Sequence, residues 1–150
     1  MKTKKSPPRH AVDISEEAGV RYLHFGSDWV QGAMRIARPW SLELAYTREM
    51  MAGLLLRGDS HWPRSALLVG LGAGPLAKFI YRHLPDCRIT VVEINPQVEL
   101  IARQHLRLPD DPVRLTVTIG DGADYMLAGE RCFDYILVDG NRFYPYETIY

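Results

Sequence analysis

Three glycines at alternate positions, Gly70, Gly72 and Gly74, follow directly on the apolar run Ala66-Leu67-Leu68-Val69, and a carboxylate, Glu93, comes a little over twenty residues later. Residues without Cβ atoms let a chain turn sharply and let backbone approach a ligand closely. An acid at the tip of the next strand can accept hydrogen bonds from ribose hydroxyls. The pair describes a nucleoside site. A dinucleotide fingerprint would need its third glycine at position 75, which is Pro75. The Gly-x-Gly-x-Gly spacing instead goes with S-adenosylmethionine-type ligands, which have no pyrophosphate to seat on a helix terminus. A tight strand-to-helix turn without any ligand fits the same three glycines, and it is the placement of Glu93 that favours the nucleoside.

Two further acids stand where similar chemistry would need them. Asp121, in Gly120-Asp121-Gly122, follows the β-branched run Leu115 to Ile119 and can accept from the exocyclic amine of an adenine, or cap the helix that begins after it. Asp139 closes the run Phe133 to Val138. Gln31 offers an uncharged donor and acceptor to a polar substrate, or simply faces solvent. His105 has no evident partner in the sequence, and Cys87 and Cys132 are too few and too far apart for a metal cluster or a disulfide framework.

The elements that must hold these residues can be read from the spacing of apolar positions. Ser65–Val69, Arg88–Glu93, Leu115–Ile119 and Phe133–Val138 read as strands. Between them, helices are expected after Pro75, after Asn95-Pro96 and over 123–128. Strand and helix in alternation imply right-handed βαβ units and a doubly wound parallel sheet of order 3-2-1-4. Ligands bind such sheets at the carboxyl ends of the strands, where all the singled-out residues of this half lie. Upstream, 20–25 and 29–36 around Gly26-Ser27-Asp28 read as a β-hairpin, and Pro39 to Leu56 as a helix with an apolar stripe. The expected division is a disordered tail over 1–12, a hairpin and helix over 13–64, a nucleoside-binding core over 65–140 and an atypical aromatic tail over 141–150.

The chain has 150 residues, 18 basic against 18 acidic, which suits one domain and argues against a general nucleic-acid or membrane-surface binder. No apolar run reaches membrane-spanning length and the basic start is not followed by an apolar segment, so a cytoplasmic location is expected.

From about Tyr22 to Gly140 the chain resembles the spermidine synthase-like aminopropyltransferases, which share the fold of class I methyltransferases. The likeness is carried by Phe25-Gly26 through Val30-Gln31, Tyr46 and Glu49, Leu68 to Gly74, Val92-Glu93-Ile94-Asn95, Gly120-Asp121-Gly122 and Phe133 to Asp139. It implies a Rossmann-like sheet of class I methyltransferase type, incomplete after its fourth strand and preceded by the hairpin. It implies that Gly70, Gly72 and Gly74 face a nucleoside-sulfonium donor, S-adenosylmethionine or its decarboxylated form. Glu93 with Ile94 would hold the ribose, and Asp121 with Gly122 the adenine. Gln31 and Tyr46 would line an amine pocket, with Asp139 as the acid nearest the reacting amine and no metal. Two positions depart from the family: Ala73 where it carries an aspartate for the donor's amino group, and Arg142 where it carries a second aspartate. The implied activity is aminopropyl transfer to a polyamine. The alternatives are an S-adenosylmethionine-dependent methyltransferase and a catalytically inert nucleoside-binding or dimerisation module, with an NAD-dependent oxidoreductase distant because of Pro75. An open fourth-strand edge, with Tyr144, Tyr146, Ile149 and Tyr150 beyond it, implies a homodimer.

Overall fold

A computed structural model describes residues 11–26, 28–129 and 131–140. Four parallel strands form the main sheet: β4 (Ser65–Val69), β5 (Arg88–Glu93), β6 (Leu115–Ile119) and β7 (Tyr135–Val138), in the order β6-β5-β4-β7. This is the doubly wound order expected, with the first strand of the unit at the centre. The crossovers are α2 (Pro75–His83), α3 (Pro96–His105) and α4 (Gly122–Ala128). Alternation along the strands assigns the faces. Ala66, Leu68, Val91 and Leu137 join Leu76, Ala77 and Ile80 of α2 and Val98 and Ala102 of α3 in one core cluster. Leu67 and Ile136 point the other way, toward Tyr125 and Met126 of α4.

Helix starts follow local chemistry. Pro75 occupies the first turn of α2, where its missing N–H costs nothing. Asn95 accepts from the Gln97 N–H at 3.0 Å to cap α3, and Asp121 accepts from Ala123 and Asp124 at 2.8 and 3.1 Å to cap α4.

The structure differs from the sequence expectation in three respects, two of them in the amino-terminal part. The hairpin of β2 (Val20–Phe25) and β3 (Val30–Arg35) is joined by a third strand, β1 (Val12–Glu17), giving an antiparallel sheet β1-β2-β3. So Val12, assigned above to a tail, opens a strand; positions 1–10 lie outside the described residues, as do 141–150. The helix expected from Pro39 starts only at Ala45, giving α1 (Ala45–Met51) and a 3-10 turn over Ala52–Leu56. Residues 37–44 form a loop stapled by Arg35, whose guanidinium donates to Glu43 at 3.0 Å, and by a Ser41 N–H to Arg38 carbonyl bond of 3.0 Å. Third, β7 begins at Tyr135 rather than Phe133, because Asp134 is used to accept from the Arg64 and Ser65 N–H groups at 2.8 and 3.2 Å.

The small sheet is fused to the large one. Leu23 and Met34 lie in the same core cluster as Leu71, Ala73 and Leu76, and Arg21 donates to the His105 carbonyl at the end of α3 at 2.6 Å.

Candidate functional site

The four strand ends are stitched together by backbone. Gly70 donates to the Val92 carbonyl at 2.8 Å, Gly120 to that of Glu93 at 2.9 Å, and Asp139 to that of Val69 at 2.8 Å. Parallel strands carry these bonds past their last paired residues, so the loops leave the sheet at one level. The Gly70, Glu93, Asp121 and Asp139 segments therefore start from a common edge.

The glycine loop has the backbone that its composition suggests. Gly70, Gly72 and Gly74 have φ of 98°, 54° and 71°, a region L side chains rarely adopt. A Cβ on Gly70 would lie 2.3 Å from the Asp139 carbonyl oxygen, so this bend sits directly on the fourth strand's end. A Cβ on Gly72 would meet the Gln31 carbonyl at 3.6 Å, which places that part of β3 beside the loop.

Glu93 is 7% exposed, and both its oxygens are engaged: one accepts from the Leu71 N–H at 2.8 Å, the other from the Asn95 N–H at 2.9 Å. A buried carboxylate needs such partners. It spans the glycine loop and the start of α3 and fixes one relative to the other. Each carboxylate oxygen can accept twice, so these two bonds leave acceptor capacity for a ligand. Ile94 beside it is 57% exposed at the strand edge. Asp121 caps α4, as described, and Gly122 lies against Val69, whose Cγ1 would be 2.4 Å from an added Cβ.

Across β7 stands a second pair. The Tyr46 hydroxyl, from α1, donates to Asp139 Oδ2 at 3.2 Å. Burial raises the Asp139 carboxyl above the ordinary aspartate value, opposed by this hydrogen bond, and burial together with the Asp139 charge pushes the Tyr46 phenol up to about 12. The phenol stays a donor, and the aspartate is a better base than an exposed one.

The structure thus brings Gly70 to Asp139, Tyr46 to Asp139, Gln31 to Gly72 and Glu93 to the loop; Ile94, Asp121 and Gly122 stand on the adjoining strand ends. Ala73 is fully buried, its Cβ 2.7 Å from where a Cβ on Gly32 would lie. Sequence reasoning missed Gly32, whose lack of a side chain lets the loop close on β3; a glycine inside a strand is the signal that pointed to it. Arg142 lies outside the described residues.

No protein-family model matches the chain. A polyamine aminopropyltransferase of Chromobacterium violaceum is 43% identical over 129 residues, covering 86% of this chain and 48% of that protein. The chain belongs with the spermidine synthase-like aminopropyltransferases. It spans about half the length of the curated relatives it matches. Among solved structures, human methyltransferase-like protein 13 in complex with SAH superposes with a TM-score of 0.60 at 36% identity, over 66% of this chain and 49% of that one. A probable spermidine synthase from Corynebacterium glutamicum gives a TM-score of 0.70 at 17% identity, over 96% and 53%, and supports the fold. The aminopropyltransferase-like fold and the methyltransferase likeness thus meet in one chain.

Proposed function

We propose that this chain binds decarboxylated S-adenosylmethionine or S-adenosylmethionine across the glycine loop, and that its chemistry is transfer of the donor's aminopropyl group to the amine of a polyamine. In this reading Gly70, Gly72 and Gly74 approach the donor, Glu93 and Ile94 flank its ribose, and Asp121 and Gly122 its adenine. Gln31 and Tyr46 line the acceptor side. The amine nitrogen attacks the propyl carbon bonded to sulfur. The new N–C bond forms as the C–S bond breaks, the sulfonium leaves as a neutral thioether, and the nitrogen gives its surplus proton to Asp139.

The observation that supports it best is the Tyr46–Asp139 pair, a half-buried carboxylate of raised basicity whose own backbone carries the Gly70 bend. Assay with decarboxylated donor and putrescine should yield methylthioadenosine, and Asp139→Asn should abolish it. Binding of methylthioadenosine without any turnover would instead mark an inert module.

A second reading, methyl transfer, is favoured by position 73. Ala73 is fully buried against Gly32 and offers no anion for a donor amine. Calorimetry with both donors separates the two readings, since a site without that anion has less reason to prefer the decarboxylated form. No helix among the described residues is long and apolar enough to cross a membrane. The reading is completed by a cytoplasmic homodimer, to be tested by light scattering. The aromatic segment read above as its contact lies outside the described residues.

A further inference from the structure

On the outer side of α2 lies a groove of about 190 Å³ that the reading above does not use. It is walled by Trp40 from the loop before α1, by Lys78, Tyr81 and Arg82 from α2, and by Arg107 and Pro109 from the connection after α3. Positions 78, 81 and 82 fall on one side of a helix, so their side chains meet over a single patch. Three of these residues are basic. Lys78 is 3% exposed and donates to the Leu106 carbonyl at 2.8 Å, and burial lowers it to about 7, so near neutrality it carries its charge only in part. The Arg82 guanidinium lies over the Trp40 ring, 4.9 Å from its centroid, which holds the side chain in place. Arg107 has φ of 54°, a left-handed backbone that residues other than glycine rarely adopt.

The nearby acids are engaged elsewhere. Asp111 accepts from the Tyr81 hydroxyl at 3.0 Å and from the Val113 and Arg114 N–H groups, both at 3.1 Å. Glu99 accepts from Arg103 at 3.0 Å, and Asp110 lies 3.9 Å from the same arginine. Among the described residues, no carboxylate pairs with Lys78, Arg82 or Arg107. A fully exposed run of arginines would signify only a solvated face. Here a buried lysine amine forms part of the wall, one guanidinium is held on a ring, and another belongs to a residue with a left-handed backbone.

We propose that this groove is a phosphate site, in which Arg82 and Arg107 supply planar donor forks and the Lys78 amine a further N–H donor in the same wall. It stands back to back with the nucleoside loop: a Cβ on Gly74 would lie 3.8 Å from the Lys78 Cε. It does not depend on the proposed transfer chemistry.

The intact chain is titrated by calorimetry with inorganic phosphate and with glycerol 3-phosphate, at fixed ionic strength and with chloride as control. One saturable site is expected for at least one of the two, and the tighter ligand tells whether the groove takes a free ion or a phosphomonoester. Arg82→Gln and Arg107→Gln should each weaken it by about tenfold or more, as loss of a charge-assisted bond requires. Methylthioadenosine affinity should be unchanged in both. Absence of saturable binding, wild-type affinity in the two variants, or the same response to chloride overturns the proposal. Should one variant fail to fold by circular dichroism, the other decides. Failure of the wild-type chain to bind methylthioadenosine would count against the nucleoside reading and leave the phosphate result standing.

Discussion

Glu93 braces the glycine loop against the start of α3, and in the proposed reading it also meets the donor's ribose. Its oxygens receive the Leu71 and Asn95 N–H groups, and Glu93→Gln would turn one acceptor into a donor facing an N–H. The loss should be about 1–3 kcal/mol of stability, the cost of leaving a buried group unpaired. Denaturant unfolding checks the first effect, and a weaker methylthioadenosine affinity by calorimetry the second. Asp139 shows the opposite balance. Burial raises its pKa, so the folded state disfavours its charge; the stability it contributes is present below the unfolded pKa and lost as pH rises through the folded one. Asp139→Asn should therefore stabilise the fold at neutral pH while removing the proposed transfer. Because the Tyr46 hydrogen bond lowers that pKa, Tyr46→Phe should raise it further, and the acid limb of the pH–rate profile should move to higher pH. An unmoved limb would show that another group is the base. Lys78 is lowered from 10.5 to about 7 by burial, so its contribution is present above 10.5 and lost as pH falls toward 7. The stability of the wild type relative to Lys78→Met should climb with pH across that window, by an amount on the order of a few kcal/mol in urea unfolding.

At the scale of elements, the contact that decides the loop's position is β3 against residues 72 and 73. Gly32→Ala would put a Cβ 2.7 Å from that of Ala73 and 2.8 Å from its backbone nitrogen. Either strand or loop must yield, with a cost of about 1–3 kcal/mol typical of overpacking, read as a lowered Tm with weakened nucleoside binding. The sheet of four strands was legible because buried parallel strands leave long apolar runs, and the Ala66–Val69 and Ile89–Val92 runs have little else to be. β1 was not, since of Val12-Asp13-Ile14-Ser15-Glu16-Glu17 only two residues are apolar and four are polar; pairing with β2, not its own pattern, makes it a strand. The overlong first helix has a different cause. Leu42 and Leu44 fall on the helical stripe by coincidence, while the Arg35–Glu43 ion pair and the Ser41 turn take that stretch into a loop. In the site, residue types and order were readable, but the Tyr46–Asp139 hydrogen bond joins positions 93 apart and the role of Glu93 as a brace is a matter of distance alone.

For the whole molecule, the two sheets share one core, so they should unfold together. Leu23, fully buried on the small sheet, touches the cluster that underlies the glycine loop. Leu23→Ala should cost about 2–5 kcal/mol and lower hydrogen-exchange protection in the Gly70 to Gly74 segment as well as in β2. Protection lost from the small sheet alone would show two independent units. The packing of Gly70 on the Asp139 carbonyl reaches further. The surface that would receive the leaving sulfur compound and the atom that would collect the proton are carried by touching main chains, without an adjustable side chain between them. Their spacing cannot be retuned from either side alone, so an acceptor of different size has to be accommodated by shifting α1 and Tyr46, and changes of specificity should appear first in that helix.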